Sequence, residues 1–295
     1  MKISRIKCLI VGAAVAVGAL FSGCADNNGA NSQITDVSGE NSGANSQITD
    51  VSGGNIDEVT LNKGDLVAEI EIEDFGTIKA KLFPEAAPVG VENFQKLCES
   101  GYYKDKNIHR VMKGFMFQGG SLNGDGTGGD ALVNGGSFGV EKADNMRHFY
   151  GALCYANAGG KNSTQFYVVN NNSQNAFDSE LEGFKSLISQ CDELIAKYKS
   201  EGVSDAVTYY TQYKEYYQGF IDKYEKFPNN VKDIYNQKGG TPQLDGDYTV
   251  FGQVVEGFDV IDMISAVTVE NNSSGEQSKP VNEIIISDIR VFTVE

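Results

Sequence analysis

The feature that most limits the fold of this chain is an alternation of apolar and charged residues that begins at Leu66. Across residues 66–73 the two types follow one another with a period of two, which is the repeat of a β-strand with one buried face. Residues 74–76 form a turn sequence, and residues 77–82 repeat the alternation. The segment therefore predicts a β-hairpin with one face in water.

Several more short strands are predicted, with glycine-containing turns between them. The chain has 34 glycines and no tryptophan, which favours a loop-rich, mainly β architecture over a helical bundle. Short strands joined in this way are typical of a closed antiparallel barrel. Apolar residues at helical spacing across residues 89–98 predict a helix after the hairpin. The further strand-like segments are residues 114–118, 152–155, 165–169, 248–254 and 284–292.

Between about residues 174 and 240 the pattern becomes helical. Apolar residues recur at i, i+3, i+4 and i+7 from 181 to 198, behind a capping-box sequence that runs from Ser179 to Glu182. A second run, from 203 to 224, has Ser204 or Asp205 as its cap. A short third helix follows. We therefore predict a helical hairpin inserted into a loop of the barrel.

The second helical run is rich in tyrosine, and this admits two interpretations. The tyrosines could form a buried stripe between the two helices, with some phenols half exposed, and we favour this interpretation. Alternatively, they could grip unfolded polypeptides, because tyrosine and phenylalanine suit interfaces.

The N-terminus has the order of a secretory signal. Lys2, Arg5 and Lys7 precede an apolar run of about 14 residues and then Ser22-Gly23-Cys24. This run is shorter than the roughly 20 residues of a membrane-spanning helix. The end of the segment resembles the bacterial lipobox, which implies a signal peptide over residues 1–23 and a lipid anchor on Cys24. An ordinary signal peptide or an uncleaved anchor is the alternative.

Residues 24–62 are polar, and an eleven-residue sequence at 29–39 recurs unchanged at 43–53. Two copies with so few apolar residues cannot bury a core, so we predict a flexible linker. The formal net charge of −16 argues against nucleic acid and against an anionic membrane surface as partners.

Cys98, Cys154 and Cys191 are widely spaced and form no CxxC pair. The sequence therefore predicts no metal site, and it favours small buried side chains over a disulfide framework. A bridge between Cys98 and Cys154 stays open at this stage.

Residues 108–120 are the most informative for function, because they combine a permanent cation, apolar side chains and an amide. Arg110, Phe115, Met116 and Gln118 suit a site that holds an uncharged substrate by hydrogen bonding. They do not suit proton transfer or metal binding. The run resembles the signature of cyclophilin-type peptidyl-prolyl isomerases.

Other segments carry the same resemblance in the same order. Residues 87–94 resemble "AP-x-x-VENF", 126–129 "GTGG", 156–158 "ANA", 165–167 "QFF" and 244–252 "LDG-x-[HY]-x-VFG". Outside the helical insertion, the resemblance covers residues 66–172 and 241–295. It implies an eight-stranded barrel with capping helices over residues 63–295, interrupted at about 174–240, and a prolyl isomerase that needs no cofactor.

The resemblance also implies roles for individual residues. Arg110 would be the catalytic donor to the twisted amide nitrogen of an X-Pro bond, and Gln118 would bind the substrate carbonyl. His109 would be structural or would line the substrate. The remaining substrate-binding residues would be Phe115, Met116, Tyr167 and Leu244 in the proline pocket, with Gly126, Ala156, Asn157, Gln165 and Tyr248 around it.

Four positions depart from the family pattern. Ile108 replaces an aromatic residue, Tyr167 adds a hydroxyl to the proline pocket, Tyr248 replaces a histidine, and Gln243 replaces the tryptophan of the best-known eukaryotic members. We expect activity to be retained and cyclosporin to bind weakly. The second histidine, His148, is expected at the surface or at a barrel end.

Together these observations predict a monomeric, lipid-anchored isomerase. It would assist the folding of proline-containing exported polypeptides on the extracytoplasmic face of the cell membrane. The alternative is a client-binding chaperone module on a cyclophilin-like barrel, with weak or incidental isomerase activity.

Overall fold

The computed structural model describes residues 59–295. The predicted signal peptide, Cys24 and most of the predicted linker lie outside the described residues. The strands are β1 (Leu66–Ile72), β2 (Gly76–Leu82), β3 (Lys106–Met112), β4 (Met116–Gly119), β5 (Phe138–Gly139), β6 (Ala152–Ala158), β7 (Lys161–Val169), β8 (Val250–Glu256), β9 (Val269–Asn271), β10 (Gln277–Pro280) and β11 (Ile285–Thr293). The helices are α1 (Pro88–Glu99), α2 (Ala176–Ser200), α3 (Ser204–Glu225), α4 (Asn229–Lys238) and α5 (Phe258–Ser265).

Eight antiparallel strands close into a barrel. Their order is β4-β3-β11-β1-β2-β8-β6-β7, and pairing of β4 with β7 completes the ring. The short β5 adds to β7, whereas β9 and β10 form a separate hairpin. Closure leaves no unpaired edge along the ring. The predicted mainly β barrel is confirmed.

Apolar side chains that point inward, together with α1, fill the barrel. Phe94 of α1 is central, because its ring centroid lies 5.2 Å from Tyr103, 5.9 Å from Phe166 and 5.1 Å from Phe251. Helix α5 buries Ile261 in the same core. The sequence predicted α1 from its periodicity, whereas it gave no prediction for α5 or for the β9–β10 hairpin.

The helical segment between β7 and β8 contains α2, α3 and α4. Phe177, Phe184 and Tyr224 form its own apolar cluster, and Phe149 from the barrel side joins that cluster. The insertion therefore packs on the barrel as well as on itself. Both predicted helix caps are wrong. Asn175 is the residue before α2, so Ser179 lies inside the helix, and α3 begins after Val203 without a side-chain cap.

None of the helices in residues 59–295 is both long and apolar enough to cross a membrane. In the same part of the chain Cys98, Cys154 and Cys191 are free thiols, so the open Cys98–Cys154 bridge does not form. Burial raises the pKa of the Cys154 thiol well above its usual range. This thiol is therefore unreactive at neutral pH.

Candidate active site

The candidate site lies on the outer face of the barrel, across β3, β4 and β7. Side chains alternate between the two faces of a strand. One face of β4 and β7 buries Phe117 and Phe166 in the barrel core, and the opposite face presents the intervening residues outward. The strand register places Arg110 opposite Gln118, and Gln118 opposite Tyr167. Arg110, Gln118 and Tyr167 thus form one row across three strands.

Arg110 forms a two-point ion pair with Glu276, which was not predicted. Its Nε lies 2.7 Å from Glu276 Oε2, and its Nη2 lies 2.7 Å from Glu276 Oε1. Only 16% of the Arg110 side chain and 13% of the Glu276 side chain are exposed. Paired bonds between a guanidinium and a carboxylate fix orientation as well as charge. Glu276 therefore holds one edge of the guanidinium in place.

The other edge of the same guanidinium faces sulfur atoms. Nη1 lies 3.8 Å from Met116 Sδ, and Nη2 lies 3.0 Å from Met112 Sδ. Thioether sulfur is a weak acceptor. The Nη1 hydrogens are therefore charged donors held beside apolar side chains, without a strong acceptor among these contacts.

The turn between β9 and β10 holds Glu276. The Asn272 side chain accepts a 3.0 Å hydrogen bond from the Glu276 backbone N–H, and Asn272 N donates to Glu276 O at 2.8 Å. Burial alone would raise the pKa of Glu276, but hydrogen bonds from Arg110 and Ser278 and the charge of Arg110 lower it. The carboxylate is therefore ionised at neutral pH.

A buried apolar cluster lies beside Arg110. The backbone N–H of Phe115 donates to Asn170 Oδ1 at 2.8 Å, which fixes the turn that carries it. The 3₁₀ turn Pro242–Leu244 brings its last residue in from the other side. The cluster contains all four residues predicted for the proline pocket, Phe115, Met116, Tyr167 and Leu244, and Met112, Ala156 and Tyr248 pack against it.

Gln118 belongs to a chain of amide hydrogen bonds. Its Nε2 donates to Gln165 Oε1 at 2.9 Å, and Gln165 Nε2 donates to the carbonyl oxygen of Gly126 at 3.0 Å. The structure therefore brings these three predicted residues together. Gly126 has φ of +91°, and a Cβ there would lie 3.3 Å from His109 Nε2, so both conformation and space favour glycine.

His109 lies between Arg110 and the loop that contains Gly126. Its Nδ1 is 3.5 Å from the hydroxyl oxygen of Ser121. Burial, assisted by the charge of Arg110, lowers the pKa of His109 to about 4. The ring is therefore neutral at pH 7 and is no source of protons.

The far side of the site is formed by β6 and the segment before β8. The register of β6 against β7 shifts between Tyr155 and Asn157, so Ala156 has no Cα partner on β7. Asn157 Nδ2 donates to the carbonyl oxygen of Asp247 at 3.2 Å. This bond ties the "ANA" segment to Tyr248, whose ring lies 6.0 Å from that of Tyr167 at 85°.

His148 is fully buried behind the pocket, so the expectation of a surface position is wrong. Its Nδ1 lies 2.8 Å from Asp245 Oδ1, and its Nε2 lies 2.9 Å from the Tyr167 hydroxyl. Tyr235 OH donates to Asp245 Oδ2 at 2.8 Å. The Tyr167 hydroxyl is thus hydrogen-bonded within the protein, and the expected increase in pocket polarity is smaller than the sequence suggests.

Two further departures from the family pattern are also buried. Ile108 packs inside the barrel core. Gln243 is buried, and its Oε1 has no hydrogen-bond partner among residues 59–295.

The same described residues contain no group of three His, Cys, Asp or Glu side chains suited to a metal.

A surface cavity of about 690 Å³ lies away from these residues. It is lined by β11 and the end of α1, with Cys98, Asp288 and Arg290 among its walls. No candidate site residue borders it. Arg290, the basic residue among its walls, pairs with Glu69 at 2.6 Å.

Comparisons with known proteins agree on one family. A family model described as "Cyclophilin type peptidyl-prolyl cis-trans isomerase/CLD" matches residues 67–210 and 225–291. A "Putative peptidyl-prolyl cis-trans isomerase" of Staphylococcus aureus (strain USA300) is 32% identical over 237 residues, which cover 78% of this chain and 96% of that protein. One of Staphylococcus haemolyticus (strain JCSC1435) is 32% identical over 219 residues, which cover 73% and 86%.

A solved structure is similar in fold. It is the crystal structure of a cyclophilin type peptidyl-prolyl cis-trans isomerase of Cryptosporidium parvum in the presence of the dipeptide ala-pro. It matches with a TM-score of 0.50 at 22% sequence identity, and the match covers 77% of this chain and 99% of that one.

Proposed function

Because this chain belongs to the family of cyclophilin-type peptidyl-prolyl cis-trans isomerases, we propose that it isomerises X-Pro bonds of exported polypeptides at the outer face of the cell membrane. Prolyl isomerase activity is the property of the family. The observation that carries the assignment of the site is the Nη1 edge of Arg110, a charged donor that Glu276 holds beside the apolar cluster.

Isomerisation of an X-Pro bond is accelerated by a hydrogen-bond donor to the proline nitrogen and does not require a general base. Rotation about an X-Pro amide crosses a barrier of about 18–20 kcal/mol and takes on the order of 10–100 s without a catalyst. Twisting breaks amide resonance and returns the lone pair to the proline nitrogen. A fixed donor aimed at that nitrogen stabilises the twisted state more than the planar states, and each tenfold in rate requires about 1.4 kcal/mol.

Arg110 would supply this donor through Nη1. Its orientation is set before substrate binds, so no reorganisation is needed as the amide twists. Phe115, Met116, Tyr167 and Leu244 would hold the proline ring, and their burial excludes water from one side of the bond. One N–H of Gln118 is bonded to Gln165, and the second would bind the substrate carbonyl.

The substrate would lie in extended form along β6. The missing Cα partner of Ala156 on β7 supports pairing between the backbone of this segment and the peptide, in the manner of partial strand addition. The Ala-Pro dipeptide named for the related Cryptosporidium parvum structure supports a proline-containing peptide as substrate.

The cellular setting rests on the N-terminal sequence. Cleavage before Cys24 and acylation of its side chain would attach the chain to the outer leaflet, and several acyl chains would hold it there stably. The flexible linker predicted over residues 24–62 would have a root-mean-square span of roughly 35 Å. The folded part could then reach polypeptides as they leave the membrane.

Two experiments test the proposal. The full chain in detergent should speed the cis-to-trans equilibration of a short X-Pro peptide, and no gain over the uncatalysed rate would overturn the activity. In cells labelled with palmitate, wild type should be labelled and membrane-bound, whereas Cys24→Ser should be unlabelled and released. Membrane retention of the unlabelled variant would instead indicate an uncleaved signal.

A further inference from the structure

Helix α3 exposes a row of tyrosines that the packing of the insertion does not use. Tyr209 is 43% exposed, Tyr213 37% and Tyr216 50%. The spacing from Tyr209 through Tyr213 and Tyr216 to Phe220 is i, i+4, i+7 and i+11, so all four lie on one face of the helix. We call these four residues the tyrosine face.

The rings of the tyrosine face touch in two pairs. Tyr209 and Tyr213 have ring centroids 4.8 Å apart, and Tyr216 and Phe220 5.1 Å apart. Tyr217 links the pairs, because its ring centroid lies 6.2 Å from that of Tyr213 and 5.5 Å from that of Tyr216. Phe220 in turn stacks on Phe184 of α2 at 4.8 Å with an interplanar angle of 8°. The exposed rings therefore form a connected surface that is anchored to the core of the insertion.

Other residues hold the helix pair together. Tyr210 and Tyr224 are buried on a different face of α3, and Lys214 pairs with Asp192 of α2 at 2.6 Å. The favoured interpretation, a buried stripe between the two helices, therefore holds for Tyr210 and Tyr224. Tyr209 and Tyr216 have no part in it, and their exposure leaves them free to meet a ligand.

The tyrosine face leads to the proline pocket. One turn beyond Phe220, Lys223 Nζ donates to Asp247 Oδ2 at 2.9 Å and to the carbonyl oxygen of Gln243 at 2.8 Å. These two acceptors directly flank the pocket residues Leu244 and Tyr248 in sequence. Burial and the charge of Asp247 raise the pKa of Tyr248, and the nearby Tyr216 hydroxyl adds to this effect.

We infer that the tyrosine face extends the substrate site, so that an unfolded polypeptide lies along α3 while its X-Pro bond occupies the pocket. The inference rests on the proposed function. It commits to an extended, proline-containing polypeptide, because the face is continuous with the place where such a substrate binds. Tyrosine suits this partner: its ring packs on apolar side chains, and its hydroxyl bonds to a peptide backbone.

The length of the tyrosine face determines how long a peptide must be to contact it. Tyr209 and Lys223 are 14 positions apart, which is about 21 Å along a helix. An extended chain covers that distance with about six residues. A short peptide that fills only the pocket should not sense the tyrosine face, whereas a longer one should bind more tightly.

The test compares two substrates of the full chain in detergent. One is a tetrapeptide with a single X-Pro bond, and the other adds about eight residues with aromatic and aliphatic side chains on each side. For wild type we expect a KM about tenfold lower for the long peptide. With Tyr209, Tyr213 and Tyr216 all changed to serine, that advantage should fall below about twofold, which is a loss of about 1 kcal/mol.

A matched control changes three exposed residues on another face of α3, as Thr208→Ser, Glu215→Ser and Gln218→Ser. This variant should keep the full advantage of the long peptide. Retention of that advantage by the tyrosine variant would overturn the inference, as would its equal loss in the control. Self-association through the tyrosine face would also overturn the inference. In that case the tyrosine variant would change the sedimentation of the protein but not its preference for the long peptide.

The two proposals fail in different ways. If wild type does not isomerise the tetrapeptide, the proposed function is wrong. If it isomerises the tetrapeptide and the tyrosine variant does so equally well, with the length preference unchanged, only the role of the tyrosine face is wrong. Circular dichroism of each variant confirms that the insertion is still helical.

Discussion

Glu276 accepts two hydrogen bonds from Arg110, at 2.7 Å from Nε and 2.7 Å from Nη2, across 166 residues of sequence. The ion pair fixes the edge of the guanidinium that carries Nε and Nη2, and it leaves the Nη1 edge available to a substrate. Because Nε and one Nη2 hydrogen are bound to Glu276, the Nη1 edge is oriented toward Met116 and the pocket.

The first prediction concerns Glu276 as a positioning residue. Glu276→Ala should lower kcat by about tenfold while KM changes less than about threefold, because Arg110 stays charged but loses its fixed orientation. Glu276→Gln keeps one acceptor oxygen and should recover part of the loss. Steady-state kinetics with a short X-Pro peptide measures both.

Glu270 provides the matched control for this experiment. It lies in the same hairpin and pairs with Lys279 at 2.9 Å, but both side chains are more than half exposed. Glu270→Ala should leave kcat unchanged within about twofold. An equal loss in Glu270→Ala and Glu276→Ala would mean that the hairpin, rather than the ion pair, supports activity.

The second prediction concerns the protonation of His109. Its pKa of about 4 lies below the 6.5 of an unperturbed histidine, so folding favours the neutral ring. The free energy of unfolding that comes from keeping the His109 ring neutral is fully present above pH 6.5. It is lost as pH falls toward 4, because His109 of the unfolded chain binds a proton at higher pH than His109 of the folded chain. NMR titration should show a neutral His109 ring at pH 5.5.

The variant His109→Asn assigns the resonance in that titration. It should remove one of the two histidine signals and leave the other. A midpoint near 6.5 for the signal that disappears would contradict the burial of His109 beside Arg110.

The third prediction concerns Tyr167. Tyr167→Phe keeps the pocket ring but leaves His148 Nε2 without its 2.9 Å partner in a buried site. The variant should lose about 1–3 kcal/mol of unfolding free energy, with kcat/KM within about threefold of wild type. Urea denaturation measures the stability. Tyr216→Phe, at an exposed hydroxyl, should change it by less than about 0.5 kcal/mol.

The fourth prediction concerns Lys81, which is buried in the barrel wall and pairs with Asp65 at 2.7 Å. Asp65→Ala would leave a buried charge without its partner and should cost about 3–5 kcal/mol. The exposed pair of Lys79 and Glu256, at 2.9 Å, is the comparison: Glu256→Ala should cost less than about 1 kcal/mol. Similar losses would show that burial of Lys81 is unimportant.

Much of the fold could be predicted because local patterns specify it. The alternation at residues 66–82 becomes the β1–β2 hairpin, and the helical spacing at residues 89–98 becomes α1. The motif residues Arg110, Gln118 and Tyr167 come from separate strands, and only the closed barrel explains why they meet.

The rest depends on long-range contacts that no local pattern contains. Glu276 lies in a polar turn that resembles any solvated turn, and nothing near it in sequence points to Arg110. His148 follows an arginine in a polar stretch, yet Asp245 and Tyr167 bury it. The capping box at Ser179 failed because Asn175, at φ of 56°, turns the chain into α2 one turn earlier.

The most direct test of Arg110 as the donor is the turnover of a short X-Pro peptide by wild type, Arg110→Ala and Arg110→Lys, with peptide affinity measured separately. Arg110→Ala should lower kcat by about 100-fold or more while the dissociation constant rises less than about tenfold, and Arg110→Lys should recover little because a point charge lacks the fork. Equal kcat for wild type and Arg110→Ala would contradict the proposed role of Arg110 as the donor to the twisted amide.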